Sequence, residues 1–295
     1  MSNTVLQSTV TIPAARRINA CLGIELEGVD LAGAAPDLAQ QVDQLLSEHG
    51  AVLIRDQKLE PADLVRFSRF LGDLDEAPVN EKGKTAVDGL PEVYVVSNIA
   101  DEKGEPVGSL GNGEAAWHTD MSYLDNPPRA SMLCAVEIPS EGGDTWLAGM
   151  EAALAAMPGD LRARIDGRRI KHDGTFNSAG LLRQGVTASD DPRECPGTLH
   201  PAICRHPHTG REVLYLGRRR NAYVEGLSLA DSEALLDDLW AFATRPEFTY
   251  AHQWRVGDVL MWDNRATLHR RDSFDPSARR YMLRTQIKGP GTPAD

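Results

Sequence analysis

One short stretch of this sequence carries side chains able to hold a metal or move a proton: Trp117 to Tyr123, WHTDMSY. His118 and Asp120 stand two residues apart between aromatic residues. With 8 His and 43 acidic residues in 295 positions, about one His-x-acid triplet arises from composition alone, so its meaning depends on what the rest of the chain supplies. A third ligand is available downstream. In MWDNRATLHRRD, His269 follows the apolar run Val259–Trp262, where a strand end can present a side chain to a barrel mouth. Two His and one carboxylate on one face leave three metal positions open, the arrangement suited to non-haem Fe(II) oxygen chemistry. A lone His at such a place also serves as an ordinary structural residue.

Two further segments bear on that choice. If RRYMLRTQIKG alternates, Arg280, Met282, Arg284 and Gln286 share one face and Tyr281, Leu283, Thr285 and Ile287 the other. Its two arginines either point to solvent, as on an edge strand protected by charge, or enter a polar cavity where guanidinium forks grip anions. In EGGDTW, a Gly-Gly turn delivers Thr145 at a strand start, with a hydroxyl free to donate to a carboxylate beside an arginine.

The chain is long enough for a substantial core, and 41% hydrophobic with 25% charged residues is the balance of an ordinary globular protein, so disorder is not the default. A formal net charge of -12 argues against broad nucleic-acid binding or attraction to anionic membranes. The N-terminal segment shows no basic start followed by an apolar run, and no stretch approaches eighteen apolar residues, which points to a cytoplasmic protein. Cys21, Cys134, Cys195 and Cys204 are dispersed and read as buried or incidental thiols.

The elements that must position these residues are legible in outline. NACLGIELEGVDL reads as strand and turn, PDLAQQVDQLLSEH as a helix with Leu38, Val42, Leu45 and Leu46 at helical spacing, and GAVLIRD as a buried strand. Pro61 to Leu74 forms a second helix with Leu64, Phe67 and Phe70 on one face and a stop at Gly72. Short strands at EVYVVSNI, RASMLCAVEI and DTWLAGM alternate with turn clusters, suggesting antiparallel sheet. A helix split at Pro158 follows, and residues 173–198 form a long Gly, Ser, Asp and Pro-rich loop, a lid or a disordered segment. Strands at REVLYLG and DVLMWDN bracket a helix at LADSEALLDDLWAFATRP. The sum is an α+β or decorated jelly-roll pattern without repeat or linker, hence a single domain over residues 1–295.

The ordered set WHTDMSYLDNPP, GGDT, WDNRATLH and RRYMLR, with GIELEGVDL and HPHTGREVLYLG, resembles the TauD/TfdA family of Fe(II)- and 2-oxoglutarate-dependent dioxygenases over roughly residues 20–289. The resemblance implies a double-stranded β-helix (jelly roll, cupin-like) with inserted and flanking helices. It implies Fe(II) held by His118, Asp120 and His269, and 2-oxoglutarate gripped by Arg280 and Thr145. Arg284 would meet the anion of the primary substrate, with O₂ as the oxidant and succinate and CO₂ as co-products. Asp120 favours hydroxylation, because halogenating relatives lack that carboxylate; a hydroxylated carbon bearing sulfur, oxygen or nitrogen can then release its heteroatom group. Substrates of the family suggest a small organic anion: a sulfonate, sulfate ester, aryloxyalkanoate, or amino or carboxylic acid. Glu114 stands where the taurine enzyme has an Asn, which argues against taurine and offers a carboxylate to a cationic group. GRRRNAY, Gly217 to Tyr223, falls at a pocket wall of the family and is either a second anion site or a solvated turn; His172 and Phe176 near the lid either line the pocket or do not. A homo-oligomer, dimer or tetramer, is common in such families.

A zinc hydrolase could use the same three ligands with a metal-bound water, but has no need of Arg280 and Thr145. A jelly-roll binding protein with a structural metal would close its site with four protein ligands. Neither a G-x-S-x-G elbow nor a nucleotide-binding loop is present.

Overall fold

The computed structural model describes residues 14–77 and 87–293; residues 1–13, which carry most of the N-terminal segment read above, lie outside them. Two sheets face one another. The larger has eight strands in the order Ala14–Arg17, Ile24–Glu27, Ala51–Ile54, Val259–Asp263, Ala130–Glu137, Tyr281–Ile287, Tyr94–Ser97, Ser109–Leu110. The smaller runs Thr249–His252, Thr145–Gly149, Thr267–Arg271, Ala115–His118, all antiparallel.

Alternation along each strand decides which layer a side chain joins. Leu260, Trp262 and Met282 turn inward and meet Leu147 of the smaller sheet. Val259, Met261, Leu283 and Ile287 turn outward onto the helices Pro36–His49 and Pro61–Leu71. On the other side, Ala148 and Leu268 of the smaller sheet pack on the helices Met150–Ala155 and Leu229–Ala243. The molecule is therefore a mixed α and β structure dominated by sheet, with helices on both outer faces.

The first helix begins at Pro36, whose missing N–H costs nothing at that position, and stops at Gly50, in the left-handed region at φ 74°. The break at Pro158 separates Met150–Ala155 from Gly159–Ala163. One face assignment changes. Phe70 is 40% exposed, and Leu71, four residues after Phe67, takes the core position instead, as the 100° step of a helix favours. The Tyr281–Ile287 strand is not an edge: it lies between Ala130–Glu137 and Tyr94–Ser97, so both its edges are hydrogen-bonded. Residues 173–198 hold no helix or internal strand beyond one bridge, Phe176 to Leu182, and are tied down at their far end by Lys171 Nζ, which donates to the carbonyls of Cys195 at 2.7 Å and Pro192. No helix among the described residues is long and apolar enough to cross a membrane.

Candidate active site

His118 ends the Ala115–His118 strand and His269 lies in Thr267–Arg271; the two are directly paired across the smaller sheet. Their rings approach to 4.0 Å between centroids. Asp120 follows in the turn after His118. Its Oδ1 lies 3.7 Å from His118 Nε2 and its Oδ2 3.7 Å from His269 Nε2. One ligand atom from each residue falls within 4.8 Å of the others, and all three residues are buried. Sequence spacing and sheet pairing thus converge on one point, with the 150-residue gap closed by the ladder.

The electrostatics suit a cation. Burial pushes both imidazoles below their usual range, with each ring's positive neighbours adding to the effect, so both stay neutral and keep a lone pair. Burial would raise the Asp120 carboxyl, but the Arg284 charge leads the effects that outweigh it and hold the group well below the usual carboxylate range. His118 Nδ1 donates to Ala116 O at 2.8 Å, which fixes Nε2 as the free nitrogen. The donor set fits a divalent metal with open positions.

A network absent from the sequence reading aims Asp120. Ser131 Oγ donates to Asp120 Oδ2 at 2.8 Å while accepting from the amides of Asn264 at 3.1 Å and Gln286 at 3.3 Å. With both acceptor positions taken, the single hydroxyl proton goes to the carboxylate. Asn264 is in turn oriented by Trp262 Nε1 at 3.0 Å, and the Trp262 ring packs 4.7 Å from His269. The WDN triplet before His269 was the available signal; Ser131 had none.

Beyond the ligands opens a cavity walled by His118, His269, Thr145, Arg280, Arg284, Ser178 and Leu110. Arg280 is 1% exposed, and its Nε and Nη1 have no hydrogen-bond partner among the described residues. Burial, then the nearby charge of Arg271, brings its pKa down to about 9. A buried guanidinium without a carboxylate is costly unless a ligand completes it, and a dicarboxylate fits that need. Thr145 Oγ1, at the strand start, accepts from Trp254 Nε1 at 3.0 Å. Arg271, a residue the sequence reading passed over, also lines the cavity and donates to the carbonyls of Leu110 at 2.9 Å and Gly113.

Arg284 sits on the cavity wall with Nη1 3.2 Å from Asp120 Oδ1 and its guanidinium 4.8 Å from the Tyr94 ring. Glu114 is placed differently. Its side chain is largely exposed and faces Arg270 at 3.4 Å, outside the cavity lining, although Arg270 itself belongs to that lining. Trp117 turns away from the ligands onto the helical core, with Arg270 5.5 Å from its ring. His172 lies on the Arg169–Asp173 strand, buried with His200 and Tyr215 and not on the cavity wall. The arginine run divides: Arg219 pairs with Glu233 at 2.6 Å and Asp237 at 2.7 Å, Arg220 lies over the Phe176 ring, and Arg218 is buried.

This fold and this triad define a non-haem metal oxygenase type of centre. Over residues 14–286 the chain matches the family described as taurine catabolism dioxygenase TauD, TfdA family. It is 33% identical over 267 residues to the alpha-ketoglutarate-dependent 2,4-dichlorophenoxyacetate dioxygenase of Cupriavidus pinatubonensis, spanning 88% of this chain and 92% of that one. It is 32% identical over 277 residues to pentalenolactone F synthase of Streptomyces avermitilis, spanning 88% and 89%. The crystal structure of a taurine dioxygenase from Burkholderia xenovorans matches with a TM-score of 0.74 at 33% identity, covering 94% of this chain and 90% of that one. The chain belongs to the TauD/TfdA family and is a 2-oxoglutarate-dependent dioxygenase, an oxidoreductase. None of these relatives supports the zinc hydrolase alternative.

Proposed function

We propose that the protein uses Fe(II), 2-oxoglutarate and O₂ to hydroxylate a small organic anion, within one catalytic domain built on a double-stranded β-helix formed by the two facing sheets. The observation that carries the reading is the buried His118, Asp120, His269 triad beside a guanidinium, Arg280, that has no counter-ion among the described residues. When bound, iron and the keto acid supply O₂ activation, with succinate and CO₂ formed as one oxygen atom enters a substrate C–H bond.

The chain's own contribution is placement. His118, Asp120 and His269 would hold the metal on one face and leave the other open. Arg280 would take the distal carboxylate of 2-oxoglutarate as a fork, and Thr145 would donate its hydroxyl proton to the same group. Arg284, beside Asp120, would meet the anion of the primary substrate, a sulfonate, sulfate ester, aryloxyalkanoate, or amino or carboxylic acid. Glu114 would contribute from the rim, where a substrate cation would have to displace Arg270. Trp262 and Leu133, on the cavity wall, would keep water from the reacting carbon.

Anaerobic titration of the apoprotein with Fe(II) and then 2-oxoglutarate tests the reading. A weak visible metal-to-ligand charge-transfer band is expected in the wild type and absent in His269→Ala. Metal binding without the band would overturn it.

A further inference from the structure

The Gly217–Asn221 segment places a second guanidinium beside the first ligand. Gly217 O accepts from Thr119 N at 3.0 Å, and Arg218 forms an antiparallel bridge with His118. Residues opposed in such a bridge project to the same side, so the Arg218 side chain shares a side with the ligating imidazole. Its charge is felt there: it disfavours protonation of both His118 and His269.

Arg218 is 8% exposed. Among the described residues its one hydrogen bond runs from Nη1 to Phe176 O at 2.8 Å, its Nε is buried without an acceptor, and no carboxylate forms an ion pair with it within 4.0 Å. Burial and then Arg183 bring its pKa down to about 10, against the weaker pull of Asp120, Tyr123 and Asp173. Arg183 lies 4.2 Å over the Tyr123 ring, and its Nε also lacks an acceptor. Ser122 Oγ and Thr175 Oγ1, both fully buried, are also without a partner among the described residues. These segments touch: Arg183 N donates to Thr175 O, and Ser122 precedes the tyrosine under Arg183. The neighbourhood thus holds two donor-only guanidiniums, each with a buried nitrogen lacking an acceptor, beside two hydroxyls that can donate or accept.

The contrast within the run is informative. Arg219 has two carboxylates and Arg220 reaches solvent, so both meet ordinary requirements. Arg284 divides its guanidinium between Asp120 and the substrate anion assigned to it above, its Nε having no acceptor among the described residues. Arg280 is coupled to Arg271 near Thr145 and serves the co-substrate. Arg218 alone stands beside His118 with only a loop carbonyl as partner, and burying a charge so poorly matched is costly unless a ligand completes it.

Resting on the dioxygenase reading above, we infer that Arg218, backed by Arg183, is a specificity-determining residue that binds an oxyanion of the primary substrate: a carboxylate, sulfonate or sulfate. The Phe176 carbonyl holds the guanidinium until the substrate arrives, which ties substrate binding to the 173–198 loop, whose Ser178 reaches the cavity wall.

The test is calorimetric titration of the anaerobic protein loaded with Fe(II) and 2-oxoglutarate. The probes are phenoxyacetate, hexanoate, hexanesulfonate and hexyl sulfate, with phenoxyacetamide and hexanamide as neutral counterparts. The wild type is expected to favour the anions, and their ranking identifies the oxyanion. Arg218→Met is expected to lose on the order of 10- to 100-fold in anion affinity while amide binding and the charge-transfer band persist; Arg218→Lys should recover part of the loss. An unchanged ratio of acid to amide affinity, equal loss for both, or no preference for anions in the wild type overturns the inference while leaving the dioxygenase intact. Absence of the band in the wild type overturns the underlying reading instead.

Discussion

Trp254 Nε1 donates to Thr145 Oγ1 at 3.0 Å, across 109 residues of sequence. A hydroxyl that accepts from an indole keeps its own proton for another acceptor, so the pairing makes Thr145 a donor toward the cavity it lines.

Thr145→Val is therefore expected to weaken 2-oxoglutarate binding by about tenfold, the worth of a hydrogen bond to a charged group. Trp254→Phe, which only frees the hydroxyl to rotate, should cost a few-fold. Titration of the charge-transfer band with the keto acid measures both. If Trp254→Phe costs as much as Thr145→Val, the indole acts by packing rather than by directing the proton.

Ser131→Ala tests the network behind Asp120. The hydroxyl accepts from Asn264 and Gln286 and so must give its proton to the carboxylate. Its loss is expected to lower metal affinity by about tenfold, the low end for a residue that orients a ligand, while leaving the thermal midpoint of the apoprotein within a few degrees. Competition with a chelator of known affinity reads the first and a melt the second. An unchanged metal affinity would show that Arg284 alone suffices to orient Asp120.

What the sequence disclosed and what it withheld follow from range. His118, Asp120 and His269 lie in short windows with distinctive neighbours, and the Pro36–His49 helix declares itself through apolar spacing and a terminal glycine. Ser131 sits inside Ala130–Glu137, where a small polar residue in an apolar run has no local meaning; its role exists only because three other strands or turns converge on it. The alternation in Tyr281–Ile287 was legible, but not whether the strand was an edge, because strand order is a non-local property. Glu114 shows the same dependence on range: its type and position are local, whereas its contact with Arg270 at 3.4 Å joins residues 156 apart.

Arg280→Met separates stability from function. The guanidinium is 1% exposed and has no carboxylate partner among the described residues, so replacing it with an apolar chain of similar length removes a desolvated charge. The apoprotein variant is expected to melt at the same temperature or a few degrees higher. In the wild type, saturating 2-oxoglutarate with metal should raise the midpoint, since a ligand bound only by the native state stabilises it; in the variant that rise should vanish. A variant that melts well below the wild type would mean that Arg280 is part of the structural frame.

Asp263 ends the Val259–Asp263 strand and is fully buried. It accepts from Arg265 Nε at 2.8 Å, Arg265 N at 2.9 Å and His206 Nε2 at 3.0 Å. Burial alone would raise its carboxyl, but the Arg265 charge and hydrogen bonds, then His206, hold it far below the usual range. A folded-state value below the unfolded one of about 3.9 gives stability that is present above that pH and lost as the pH falls towards the folded value. Wild-type stability should therefore drop steeply as the pH is lowered below about 4. Asp263→Asn leaves Arg265 buried against a neutral amide, at a cost of about 3–5 kcal/mol near neutral pH, and has no carboxyl to titrate, so its stability should fall less steeply in acid. Urea unfolding of both proteins between pH 3 and 7 checks this. Parallel curves would show that Asp263 contributes nothing to acid lability, and that carboxylates elsewhere, such as Asp258 with Arg55 and His252, set it.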